Sequence, residues 1–173
     1  VIPAITMRLV SEELNVGSYE ILLTMPVTFT DIVVGKFLAS VGFVVAILIP
    51  TLAYPITVAL LGQLDWGPVV GGYIGALLLG AAFSAIGLFA STLTRNQIIA
   101  FITGMAICFG LTLIDKILFF LPRSLLGIFS YLGSDVHFQN ISKGIIDSRD
   151  VVYFLSVCVV GLYAAYLALQ KKH

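Results

Sequence analysis

The sequence predicts an all-α polytopic membrane protein with four full spans plus the end of a fifth. Three observations predict it. Hydrophobic residues make up 60% of the 173 residues and charged residues only 10%, whereas a soluble domain carries about 25% charged residues. Mean hydropathy is +1.10. Apolar runs approaching or exceeding the ~20 residues needed to cross a bilayer recur along the chain, with brief polar punctuation between them. Nine Lys and Arg balance nine Asp and Glu, so no charge excess argues for nucleic acid or for electrostatic attachment to a surface. Cys108 and Cys158 lie mid-run in apolar surroundings and read as small packing residues.

Residues 1–10 read as the end of an incomplete span, closing at Arg8. The opening VIPAITM is too short to cross a bilayer and has no basic n-region of a signal peptide. Residue 1 is therefore expected to lie inside a helix that begins before this chain does. Residues 11–31 cannot lie in lipid throughout, because Glu12, Glu13, Glu20 and Asp31 fall within twenty residues. Gly17 breaks the segment and Ser18 suits the N-cap of a short helix, with Glu20 in its first turn. Ile21, Leu22, Leu23 and Met25 give that helix an apolar side, and Pro26 stops it. Thr28 and Asp31 then have the spacing of a capping box, opening the next helix.

Residues 32–61 form the first full span, with Lys36 near its start and Pro50 and Pro55 deep inside, where a kink is expected. Gly62 to Pro68 (GQLDWGP) is a tight connection whose Trp66 suits an interfacial belt. Residues 69–93 form the second span, uncharged and rich in small residues. Gly71 and Gly75 make a G-x-x-x-G, and Gly80, Ser84, Gly87 and Ser91 continue a small stripe. Close helix packing is the expected use; a subunit interface or a transport path is the alternative.

Residues 98–116 form the third span, ending in Asp115 and Lys116. Either charge at the bilayer centre would cost roughly 2.5–3.5 kcal/mol, and adjacent helical positions do not face each other. Both are expected at the outer interface or in a polar cavity. Residues 117–150 read as an extracytoplasmic interfacial or re-entrant segment, in which Phe138, Ile141 and Ile145 recur at helical spacing after Ser134 and Asp135. Residues 151–169 are the last span, closed by Lys171 and Lys172. Alternation puts Arg8, Lys36, Arg95, Lys171 and Lys172 on one side and Lys116, Arg123, Lys143 and Arg149 on the other. The count orients the protein weakly.

Three tempting motifs are read down. Gly35-Lys36 lacks the earlier glycine of a Walker A motif, since Thr30 occupies that place. His137, with Asp135 two residues away, is expected at the surface, because a metal site or dyad needs further ligands from elsewhere. Glu12 and Glu13, taken alone, are a solvated charge pair.

The whole pattern says more. Arg8, Glu12-Glu13, Gly17-Ser18, Glu20, Leu22-Leu23-Thr24, Pro26-Val27 and Gly35-Lys36 together resemble the signature loop of ABC-2 type permeases, closest to the gliding-motility-associated branch. Tyr131, His137-Phe138, ISKGIIDSRDV over 141–151 and YFLS over 153–156 resemble the end of the same branch, before its last span. The resemblance implies a six-helix permease subunit with a type V ABC exporter-like bundle, whose first helix and most of whose second lie outside this chain. It implies a coupling helix within residues 17–26 docking on a cytoplasmic ABC ATPase, so that Glu12, Glu13, Gly17, Ser18, Glu20, Leu22, Leu23 and Pro26 carry the coupling. It fixes the orientation, with residues 12–31 cytoplasmic.

The implied partners are ATPase subunits, a second permease subunit in a homo- or heterodimer, membrane lipids and an extracytoplasmic accessory protein, with no nucleic acid. ATP and Mg belong to the partner ATPase; no cofactor or metal is expected on this chain, which is not itself an enzyme. The implied place is a bacterial inner (plasma) membrane, and the implied direction is export. Two alternatives stand beside this. One is half of an ion-coupled secondary transporter, with Asp115 ionisable and the Pro50/Pro55 span a broken helix. The other is a membrane anchor scaffold for a motility or secretion ATPase complex.

Overall fold

The computed structural model describes residues 1–17, 28–117, 133–144 and 147–171. Among the described residues every regular element is a helix. Among the described residues, four helices are long and apolar enough to cross a membrane: Phe29–Leu61, Trp66–Leu93, Gln97–Ile114 and Ser148–Gln170. The protein is an all-α polytopic membrane protein.

Helices α1 (Ile2–Thr6) and α2 (Arg8–Val16) are separated only by Met7, itself right-handed helical. The helix does not close at Arg8 as the sequence suggests. It continues because the buried Ser91 hydroxyl accepts the N–H groups of Val10 (3.1 Å) and Ser11 (3.0 Å) and donates to the Met7 carbonyl (2.9 Å). Backbone groups around the break are thereby satisfied from outside the helix. Val10 and Leu14 are then buried in the core. Gly17, at φ +79°, ends α2 in the left-handed conformation that glycine adopts without penalty.

Helix α3 (Phe29–Thr51) opens on the capping box expected of Thr28 and Asp31. The Thr28 hydroxyl accepts from Asp31 N–H at 3.3 Å, and Thr28 N–H donates to the Asp31 carboxylate at 2.9 Å. It stops one residue after Pro50 and resumes past Leu52 as α4 (Ala53–Leu61). Pro55 has no N–H to return to Thr51, so the ladder lapses there. Thr51 instead bonds through its hydroxyl to the Leu48 carbonyl (2.6 Å) and the Tyr73 hydroxyl (3.0 Å).

Helix α5 (Trp66–Leu93) is the axis of the bundle, capped by Asp65, whose carboxylate accepts from Gly67 N–H at 3.1 Å. It packs against α1, α2, α3, α6 (Gln97–Ile117), α7 (Ser134–Ser142) and α8 (Ser148–Gln170). Its small residues explain how one helix takes so many neighbours. A Cβ on Gly71 would collide with the Ile141 carbonyl, and one on Gly75 would lie 3.3 Å from Phe138 and Ile141. On Gly80 it would meet Val44 Cγ1 at 2.7 Å, and on Gly87 it would run into the Thr6 hydroxyl. Ser84 is fully buried, and its hydroxyl has no partner among the described residues.

Helix α8 begins at Ser148, three residues before the expected start, because Asp147 caps it by accepting from Arg149 N–H at 3.1 Å. Two apolar clusters fill the bundle. One joins Val10, Leu14, Val33, Leu88, Ala165 and Leu169; the other joins Ala82, Ala85, Ile141, Phe154 and Cys158. The first lies toward the end bearing Gly17 and Lys171, the second toward α7.

Candidate functional site

The coupling residues named from the sequence divide into two groups. Glu12, Glu13 and Gly17 are described. Ser18, Glu20, Leu22, Leu23 and Pro26 lie outside the described residues, so the structure gives only the two ends from which their segment hangs, Gly17 and Thr28.

Those ends are held by different chemistry. The Lys36 ammonium, about two helical turns inside α3, donates to the Glu13 carboxylate at 2.6 Å and to the Leu9 carbonyl. Its side chain is 17% exposed and that of Glu13 33%. A cation set at the start of an apolar helix needs a counter-charge, and α2 supplies it. The other Glu13 oxygen is buried without a partner among the described residues. Glu12, one residue earlier, is exposed. On its far side α2 is tied to α5 through Ser91, as above. Segment 18–27 therefore leaves from a helix clamped to α5 and returns to one clamped to α2.

Helix packing at Gly71, Gly75, Gly80 and Ser84 places two of these residues against α7 and Gly80 against α3. Ser91 and Lys36 are the partners that sequence reasoning did not pair. Ser91 was visible as a member of the small stripe, and Lys36 as a lone charge at the edge of an apolar run.

The opposite end corrects one expectation. His137 is not at the surface: it is 7% exposed, and its Nδ1 lies 2.5 Å from the carboxylate of Asp150, itself 3% exposed. The ring also stacks on Tyr153, with centroids 4.3 Å apart and planes at 22°. Asp135, the carboxylate near His137 in sequence, serves elsewhere. It accepts from Lys116 Nζ at 2.8 Å and from Gln139 Nε2 at 3.0 Å. Lys116 thus sits with the polar groups of α7; the side chain of Asp115 lies outside the described part.

No group of three or more His, Cys, Asp or Glu residues among those described converges as a metal site would require. The arrangement supplies tied helix ends, and among the described residues no nucleophile with a base stands out. The family model of ABC-2 family transporter proteins matches residues 1–172. No curated protein matches the sequence.

Proposed function

The chain belongs to the ABC-2 family of transporter proteins, and from that premise we propose that it is the permease subunit of an ATP-binding-cassette exporter in a bacterial inner membrane. Two copies, or this chain and a second permease, work with two cytoplasmic ATPase subunits. The gliding-motility-associated branch fits the residues quoted above. ATP and Mg reside on the ATPase, and this chain hydrolyses nothing. Residues 17–26 contain the coupling helix, seated in a cleft of the ATPase.

The observation that supports this best is the clamping of both ends of the segment. A short helix transmits motion only if its flanks move as rigid bodies. The Glu13–Lys36 pair and the Ser91 bonds join those flanks to α3 and α5. When the ATPases close on ATP, displacement of the segment moves α2 and α3 together against the bundle, which alternates between two access states. Purification from its native membrane tests the reading. A stoichiometric ATPase should accompany the chain, and a preparation that transports without one would overturn it.

The break at Leu52 favours a second reading, an ion-coupled secondary transporter with a discontinuous helix. That reading needs Asp115 as its proton carrier. Asp115→Asn would abolish transport under it and leave ATP-driven transport largely intact under the first.

A further inference from the structure

Helix α8 carries Val157, Val160, Ala164, Leu167 and Lys171 at alternating spacings of three and four, which places them on one stripe. This stripe is not the one that fills the core, where Phe154, Cys158, Ala165 and Leu169 are buried. It lines a recess. Between α5, α6 and α8 lies a cavity of about 500 Å³ bounded by Phe89, Ile107, Leu111 and the upper part of the stripe. Between the ends of α5 and α8 lies another of about 420 Å³, bounded by Phe89, Leu93, Ala164, Ala168 and Lys171. Phe89 and Ala164 line both, so the two form one groove. It runs from Tyr153 to Lys171, about 27 Å at 1.5 Å per residue, close to the ~30 Å of a bilayer's hydrocarbon.

The groove exists because its floor is small: Ala164 and Ala168 leave space that larger side chains would fill, while Gly161 lets α8 approach α5 closely, a Cβ there lying 3.0 Å from Ala85 Cβ. An apolar recess of this size excludes water, and inside a bilayer an acyl chain or an apolar helix can fill it; the end of the groove decides between them. The end is different. Lys171 terminates α8, is exposed, and forms no ion pair with any described residue. A cation at the mouth of an acyl-sized groove, at the depth of the headgroups, is complementary to a lipid phosphate.

We infer that the α5–α8 groove binds one anionic phospholipid, its acyl chain lying between Phe89 and Ala164 and its phosphate at Lys171. A transmembrane helix from a second copy is the rival occupant of the apolar part, and the cysteine arm of the experiment below tests for it. The assignment to the cytoplasmic leaflet rests on the orientation proposed above; the binding itself does not.

Native mass spectrometry of the purified chain in non-ionic detergent tests it, without any ATPase present. Phosphatidylglycerol and phosphatidylcholine with the same acyl chains are added at equal concentration. One phosphatidylglycerol should be retained about five-fold better, the worth of one lysine near an anionic group. Lys171→Gln should erase that preference while leaving binding of both lipids at the phosphatidylcholine level. Ala168→Phe, which fills the floor, should lose both, and Lys143→Gln at the opposite end should change nothing. Preference surviving in Lys171→Gln would overturn the site. Displacement of the lipid by glycerol 1-phosphate alone would reassign it to a free phosphate. Disulfide dimers through Ala168→Cys would give the groove to a second copy.

Discussion

His137 Nδ1 and Asp150 Oδ1 lie 2.5 Å apart, joining α7 to the first turn of α8 with both side chains more than nine-tenths buried. The second Asp150 oxygen has no partner among the described residues. A buried carboxylate deprived of its imidazole is therefore left with nothing described to compensate it. His137→Ala is expected to lower stability by roughly 3–5 kcal/mol, the range for breaking a buried pair. His137→Leu combined with Asp150→Leu should recover most of that loss, because it removes both polar groups together. Thermal unfolding in detergent measures both. A His137→Ala protein as stable as the parent would show that the pair holds nothing.

The spans were legible because hydropathy and length are properties of contiguous residues. So was the capping box at Thr28 and Asp31, which is local. His137 was misplaced for the opposite reason. Its partner is thirteen residues away and on another helix, while the nearer Asp135 is taken by Lys116 and Gln139. Ser91 could be recognised as small, yet not as the acceptor of Val10 and Ser11, some eighty residues earlier. Pairings across the bundle depend on which helices become neighbours, and periodicity within one helix carries no record of that.

Gly87 offers a test of close approach on α5. A Cβ there would meet the Thr6 hydroxyl, which itself bonds to the Ile2 carbonyl at 3.1 Å. Gly87→Ala should destabilise by about 1–3 kcal/mol through overpacking. Thr6→Ala in the same chain should relieve part of it, since the colliding atom is gone. If the two losses simply add, the two residues are not in contact.

Topology follows from thiol access. In a chain with Cys108 and Cys158 replaced by Ala, cysteines at Ser18 and Lys171 should react with a membrane-impermeant reagent only after the membrane is opened. Ser134 is 3% exposed and makes a poor outer probe; Ser148, which is exposed, should react in intact cells. Labelling of Ser18 from outside would invert the orientation and the coupling assignment with it.

The Glu13–Lys36 pair is half-shielded, so its worth should fall between the ~0–1 kcal/mol of an exposed pair and the ~3–5 kcal/mol lost on breaking a buried one. Its effect on coupling should be larger than its effect on stability. Lys36→Gln releases both the Glu13 carboxylate and the Leu9 carbonyl, freeing α2 from α3. Transport-linked ATPase activity is expected to drop several-fold while the melting temperature shifts by only a few degrees. Exchange of the two charges, Glu13→Lys with Lys36→Glu, should restore part of the activity. An exchange variant no better than Lys36→Gln would mean that the pair does not act as a clamp.

The proposed coupling helix makes the sharpest case. Gly17 ends α2 at φ +79°; beyond it, the sequence alone leads to the expectation that Ser18 caps a new turn and Pro26 stops it about two turns later. On that sequence-based expectation Leu22, Leu23 and Met25 share an apolar side of a segment that cannot lie in lipid throughout. Against lipid headgroups those side chains are an interfacial anchor, and an arginine among them would snorkel to the phosphates and be tolerated. In the cleft of an ATPase the same arginine is an unpaired buried charge, disfavoured by several kcal/mol. That difference is a factor of a hundred or more in affinity, at about 1.4 kcal/mol per ten-fold. Leu22→Arg and Leu23→Arg should therefore leave the permease inserted and stable but strip the ATPase from it on purification. Retention of a stoichiometric ATPase by both variants would assign the surface to the membrane instead.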